Sequence, residues 1–243
     1  MDRPYIICHM LTSLNSKISG PYMETPEAGP ARGLYEVFYE KLETQAWLSG
    51  RVTTEEAFTN WRKPNLDPDA PVHPREDYAA VPDATFFHVV IDASGRVGWI
   101  SNTIDYENRG PAHVIEVLTG KASDSYVSYL REHSISYIFA GEEDLDLLLA
   151  AQKLAQLFGI ERLAVSGGGL INGSFLNAGL IDELSLVVAP VLDDDTSSNT
   201  TFERPSGLPS TPPSGFSLIS ADIVEGDTLW LRYQAQPQRT RLP

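Results

Sequence analysis

The chain has 243 residues, 18 of them basic and 33 acidic, for a formal net charge of −15. This balance excludes a nucleic-acid or anionic-membrane surface built on clustered Lys and Arg, although a few local cations and backbone amides would still hold a phosphorylated ligand. A single cysteine, Cys8, excludes internal disulfides, cysteine-rich zinc sites and the paired cysteines of a zinc deaminase. No segment approaches the roughly 20 apolar residues of a membrane span, and the N-terminus lacks a signal-peptide core. The expectation is a soluble cytoplasmic protein, with residues 1–243 forming one domain at the upper edge of single-domain size.

The first predicted element is a buried strand over Arg3–Met10, followed by a helix over Gly33–Gln45 with Leu34, Val37, Phe38 and Leu42 on one face. Ala46–Gly50 reads as a second strand. It leads into a helix at Thr53-Thr-Glu-Glu, with Thr53 or Thr54 as N-cap and Glu55 and Glu56 in the first turn. From Asn60 to Pro82 the composition predicts a long surface loop. Strands follow at Phe86–Asp92, Ala112–Leu118, Ser136–Ala140, Arg162–Val165, Leu184–Val188, Phe216–Val224 and Thr228–Tyr233, with a turn at Ala93–Arg96. Helices are expected at Ser123–His133 and Leu145–Phe158. Asp193–Ser214 is a second loop, and Gln236–Pro243 reads as a frayed tail. Alternating β and α elements predict an α/β fold with a mostly parallel sheet, helices on both faces and a C-terminal antiparallel hairpin.

The richest stretch runs from Leu163 to Pro190: a buried strand, three glycines, a short helix and another buried strand. Gly167, Gly168 and Gly169 follow the carboxyl end of a strand, where an open α/β sheet presents its ligand crevice. Backbone freedom there, including positive φ, together with a helix start near Ile171 or Asn172, suits a nucleotide phosphate. A tight strand-to-helix turn without ligand is the alternative. The spacing Gly167, Gly169, Gly173 is one residue too long for G-x-G-x-x-G, so this is not the Rossmann fingerprint.

Four segments in this order resemble the pyrimidine reductase family of riboflavin biosynthesis, the reductase half of the bifunctional deaminase-reductase. They are Ile7–Ile18 (Ile-Cys-His-Met-Leu-Thr-Ser-Leu-Asn-Ser-Lys-Ile), Trp47–Thr54 (Trp-Leu-Ser-Gly-Arg-Val-Thr-Thr), Val89–Arg96, and Gly167–Asn172 with Gly179–Leu184 and Ala189-Pro190 downstream. The resemblance spans nearly the whole chain and implies a dihydrofolate reductase-like fold with NADPH as cofactor. It implies cofactor contacts at Gly50, Arg51, Thr53, Thr54, Asp92, Ser94, Gly167, Gly168, Gly169, Leu170 and Asn172. Ser13, Asn15, Lys17 and Ser166 are the implied substrate contacts. Arg51 is read either as a phosphate-binding cation or as an ion-pair partner of Glu55 or Glu56. Arg96 is a candidate for a 2′-phosphate.

The substrate side departs from the family pattern. Asn15 stands where the family carries Asp, Ser166 where it carries Glu, and Thr54–Asp67 has no counterpart of its ribose-phosphate motif. The expected function is NADPH-dependent reduction resembling that of 5-amino-6-(5-phosphoribosylamino)uracil. The alternatives are reduction of a pterin, aldehyde or imine on the same fold, or non-catalytic nucleotide binding. The five histidines show no ligand spacing, His9 and His88 read as core partners, and Asp193-Asp-Asp195 reads as a solvated acidic loop; no metal site is expected. The apolar final hairpin, with Trp230 among its large residues, predicts a homodimer.

Overall fold

The computed structural model describes residues 2–106, 109–207 and 211–237. In chain order its main elements are β1 (Tyr5–Thr12), α1 (Gly29–Glu40), β2 (Ala46–Gly50), α2 (Arg51–Thr54), β3 (Phe87–Ile91), β4 (Thr103–Asp105) and β5 (Pro111–Leu118). Then come α3 (Asp124–Glu132), β6 (Ser136–Phe139), α4 (Leu147–Phe158), β7 (Arg162–Val165), α5 (Gly169–Asn177), β8 (Glu183–Val188), β9 (Phe216–Ile223) and β10 (Leu229–Ala235). The class is mixed α/β, as expected.

The chain divides into two compact units, one comprising residues 1–4 and 44–163 and the other residues 5–43 and 164–243. In the first, β2, β3 and β5 pair in parallel, β6 extends β5 in parallel, and β4 pairs antiparallel with β5. Ser123 caps α3 by accepting the Tyr126 amide, and Asp146 caps α4 by accepting the Leu149 amide at 2.9 Å. These caps place both helix starts one or two residues inside the predicted bounds. The three-residue β4 was not expected; it is too short for an alternation pattern to register.

In the second unit, β1 and β8 pair in parallel, β10 joins β8 antiparallel, and β9 pairs with β10 as the edge strand. Helix α1 begins four residues earlier than predicted because Pro30 occupies its first turn, where a missing amide costs nothing. It ends at Glu40, and Glu43 takes a left-handed backbone just beyond. Its buried Ala31 and Phe38 pack with Leu11, Tyr22 and Val187 in an apolar cluster. Gly226 turns the β9–β10 connection with φ 66°; a Cβ there would lie 2.5 Å from Pro30.

Candidate functional site

Within the first unit, the expected cofactor residues gather at the carboxyl ends of β2 and β3. Gly50, not Thr53 or Thr54, is the N-cap of α2, with extended backbone (φ −81°, ψ 163°) and no side-chain cap. The helix starts directly after the strand, so both threonines fall inside it. Thr54 is fully buried, and its hydroxyl lies 2.9 Å from Ser49 Oγ, which in turn sits 2.9 Å from His88 Nε2. Burial, and next the charge of Arg109, lower the His88 pKa to about 3, so the ring is neutral.

After α2 the backbone makes a π-helical turn over Glu55–Thr59. Arg51 pairs with Glu55, whose side chain is fully buried and also meets Lys63 Nζ at 3.1 Å. The ion-pair alternative for Arg51 is therefore realised with an interior acid, while the arginine side chain remains 31% exposed. At the end of β3, buried Asp92 accepts the amides of Arg96 and, at 2.8 Å, Val97. Burial raises its pKa, against the lowering effect of these amides and of Arg51. The carboxylate thus ties down the predicted turn, which carries Ser94 and exposed Arg96. In the strand beside it, Glu116 is a fully buried acid accepting the Trp99 indole N–H at 2.6 Å.

Within the second unit, β7 ends at Val165 and α5 begins at Gly169, two residues before the predicted start. None of Gly167, Gly168 and Gly169 takes a left-handed backbone, although Gly168, the N-cap of α5, has φ 11° and ψ 149°. Gly169 is instead required by close packing: a Cβ there would stand 2.3 Å from the Thr200 carbonyl oxygen, and one on Gly173 only 1.8 Å from that of Glu203. Yet α5 has no side-chain cap and no acidic residue in its first turn, and the neighbouring Ser166 hydroxyl is buried without a hydrogen-bond partner. An uncapped helix start with a spare hydroxyl beside it suits an anionic group such as a cofactor phosphate. Asn172, fully buried, donates to the Thr201 carbonyl at 2.9 Å.

The expected substrate residues lie in the loop after β1. Ser13 Oγ donates to Asn15 Oδ1 at 2.8 Å and accepts the Lys17 amide at 3.0 Å. Asn15 Nδ2 donates to the Asp193 carbonyl at 2.7 Å, and Lys17 Nζ to the Ser198 carbonyl at 2.8 Å. An aspartate at position 15 would lose the first of these donors, which gives the asparagine a local reason. Asp193 is not solvated as expected: it is buried, and its carboxylate accepts the amides of Tyr22 and Asp195. A groove of about 500 Å³ opens beside this loop, with Ser13, Leu14, Ser16, Phe202 and Leu231 in its wall and no charged side chain among its lining residues. Sequence reasoning missed Glu116, Thr201 and Glu203, since no spacing pattern marks them.

A family model described as the RibD C-terminal domain matches residues 4–202. The chain belongs to the RibD C-terminal domain family. The matched span includes every candidate residue from Ser13 to Asn172. Over 190 residues the chain is 29% identical to a 2,5-diamino-6-ribosylamino-4(3H)-pyrimidinone 5′-phosphate reductase of Methanothermobacter thermautotrophicus, covering 78% of this chain and 79% of that protein. Its fold is similar to that of a pyrimidine reductase-like protein from Corynebacterium diphtheriae (TM-score 0.68, 14% identity, 97% of this chain and 93% of that one). It is also similar to the riboflavin biosynthesis reductase Rib7 of Saccharomyces cerevisiae (TM-score 0.59, 14% identity, 97% and 91%). Among the described residues no helix is long and apolar enough to cross a membrane.

Proposed function

We propose that this family member uses NADPH to reduce a ribosylamino-pyrimidine phosphate at C1′ of its opened ribose, and that residues 1–243 act as one reductase domain. A reductase of riboflavin-biosynthesis type, drawing on a reduced nicotinamide, follows from the family and from the archaeal relative. The structural observation that carries the reading is the uncapped start of α5 beside the unpartnered Ser166 hydroxyl. In this reading the amides of Gly167, Gly168, Gly169 and Leu170, with Asn172 behind them, hold one part of the cofactor. Gly50, Arg51, Thr53, Thr54, Asp92 and Ser94 are the cofactor contacts this reading expects of the first unit. NADPH supplies hydride when bound. Ser13 and Lys17 orient the substrate, while Asn15 shapes the loop and has no acidic proton to give.

The test is fluorescence titration with NADPH and NADH, followed by turnover with the diaminopyrimidinone phosphate named for the archaeal relative. No saturable binding of either nucleotide overturns the proposal. A second reading, reduction of an unphosphorylated heterocycle or carbonyl, is favoured by the uncharged groove and by the engagement of the Lys17 amine. Turnover of a pterin or aldehyde in preference to the phosphate would select it. Tight binding without turnover on any of these would select a non-catalytic nucleotide-binding role.

A cytoplasmic homodimer completes the proposal. It is supported by the edge strand β9, where Leu218 and Ile223 are 57% and 81% exposed.

A further inference from the structure

The segment Val191–Glu203 is hydrogen-bonded to both proposed ligand regions of the second unit. On one side the Val191 carbonyl accepts the Leu14 amide, the Asn199 carbonyl accepts that of Ile18, and Asp193 and Ser198 engage Asn15 and Lys17. On the other side the Glu203 amide donates to the Gly169 carbonyl at 2.9 Å, and Gly169 and Gly173 make room for the carbonyls of Thr200 and Glu203. Thr201 touches both regions at once. Its amide and hydroxyl donate to the Ser16 carbonyl at 2.9 and 3.2 Å, while its own carbonyl accepts Asn172 Nδ2 at 2.9 Å. Ser16 is held in a left-handed backbone (φ 66°), a conformation a non-glycine residue keeps only when its surroundings enforce it. A buried carboxamide, one residue of the segment and a strained loop residue thus form a continuous polar chain from the glycine turn to the substrate loop.

We propose that Val191–Glu203 is a coupling strap and that Thr201 is its positioning residue. Occupation of the α5 start by the nicotinamide cofactor firms the strap through Asn172 and Glu203, and the strap in turn orders Ser13–Lys17 for substrate. This inference rests on the cofactor reading above. It predicts cooperative binding, because a ligand that rigidifies one end lowers the ordering cost at the other.

Hydrogen exchange on the full chain, with and without NADPH, tests it residue by residue. NADPH is expected to slow exchange at Gly168–Ile171 and also, by about fivefold or more, at Ser13–Lys17. Thr201→Val, which removes the hydroxyl donor, should keep the first effect and lose most of the second, and Thr201→Ser should restore it. Gly173→Ala, which drives the strap away from α5, should act like Thr201→Val. Protection at Gly168–Ile171 with none at Ser13–Lys17 in the unaltered chain overturns the coupling alone, as does full transmission in Thr201→Val. No protection anywhere overturns the cofactor reading and the coupling together.

Discussion

Phe38 of α1 and Trp230 of β10 stack face to face, with ring centroids 4.1 Å apart and planes 4° from parallel. Trp230 also donates its indole N–H to Ser185 at 2.9 Å, and Lys41 lies over both rings. This face of the hairpin is covered by the chain's own helix. Leu218, Ile219 and Ile223 of β9 are exposed, whereas Trp230 is half-buried and packs on α1 within the chain.

Trp230→Glu should therefore destabilise the fold by about 1–3 kcal/mol, since the half-buried indole loses its packing on α1 and its bond to Ser185. Ile223→Lys should change folding stability by no more than about 0.5 kcal/mol, as exposed substitutions do, while shifting a dimer toward monomer. Urea denaturation and light scattering at low concentration separate the two. A monomeric mass of 26.7 kDa for the unaltered chain at every concentration would rule out the dimer.

Glu116 carries the pH dependence. Burial, reinforced by the charge of Asp92, raises its pKa well above the ordinary carboxyl value, and only partly do Trp99 and Tyr126 oppose this. The folded chain thus holds a proton the unfolded chain releases. Stability from this group is complete below the unfolded carboxyl pKa of about 4.3 and is lost as pH rises toward the folded value. Glu116→Gln, which keeps the shape without the ionisation, should gain stability relative to the parent as pH rises from 5 to 8. A pH-independent difference in urea midpoint would show that Glu116 is not the titrating group.

Thr54→Ala should cost about 1 kcal/mol of stability, the usual worth of a buried hydrogen bond, because it takes away one of the two core partners of Ser49 Oγ and leaves only His88. Only the main chain of Thr54 is left to serve a ligand, so NADPH affinity should stay within about twofold of the parent, well under the tenfold worth of 1.4 kcal/mol. Thermal melts and nucleotide titration read both quantities from one variant. A large fall in affinity with unchanged stability would return the hydroxyl to the ligand.

Gly169→Ala should destabilise by roughly 1–3 kcal/mol, since the added methyl meets the Thr200 carbonyl and the side chain of Glu203. An unchanged midpoint in denaturant would mean that the strap yields freely at this point.

The strand core was legible in the sequence because its signals are local. Apolar runs such as Tyr5–Met10, Ala46–Gly50 and Phe87–Ile91 can satisfy their backbone only by pairing, and glycine, proline and capping residues punctuate them within a few positions. The glycine-rich turn and its order relative to the other segments were equally local, and they sufficed for the family. What only the tertiary structure decided is where the polar groups point. Glu116 lies inside a mostly apolar strand, and nothing in its neighbours along the chain marks it as a buried acid with Trp99 for a partner. Thr54 faces Ser49 because α2 begins one turn sooner than a threonine cap would require. Gly169 is glycine because a carbonyl from a distant loop presses on it, a contact set by packing between segments far apart in sequence and invisible to any pattern within either one.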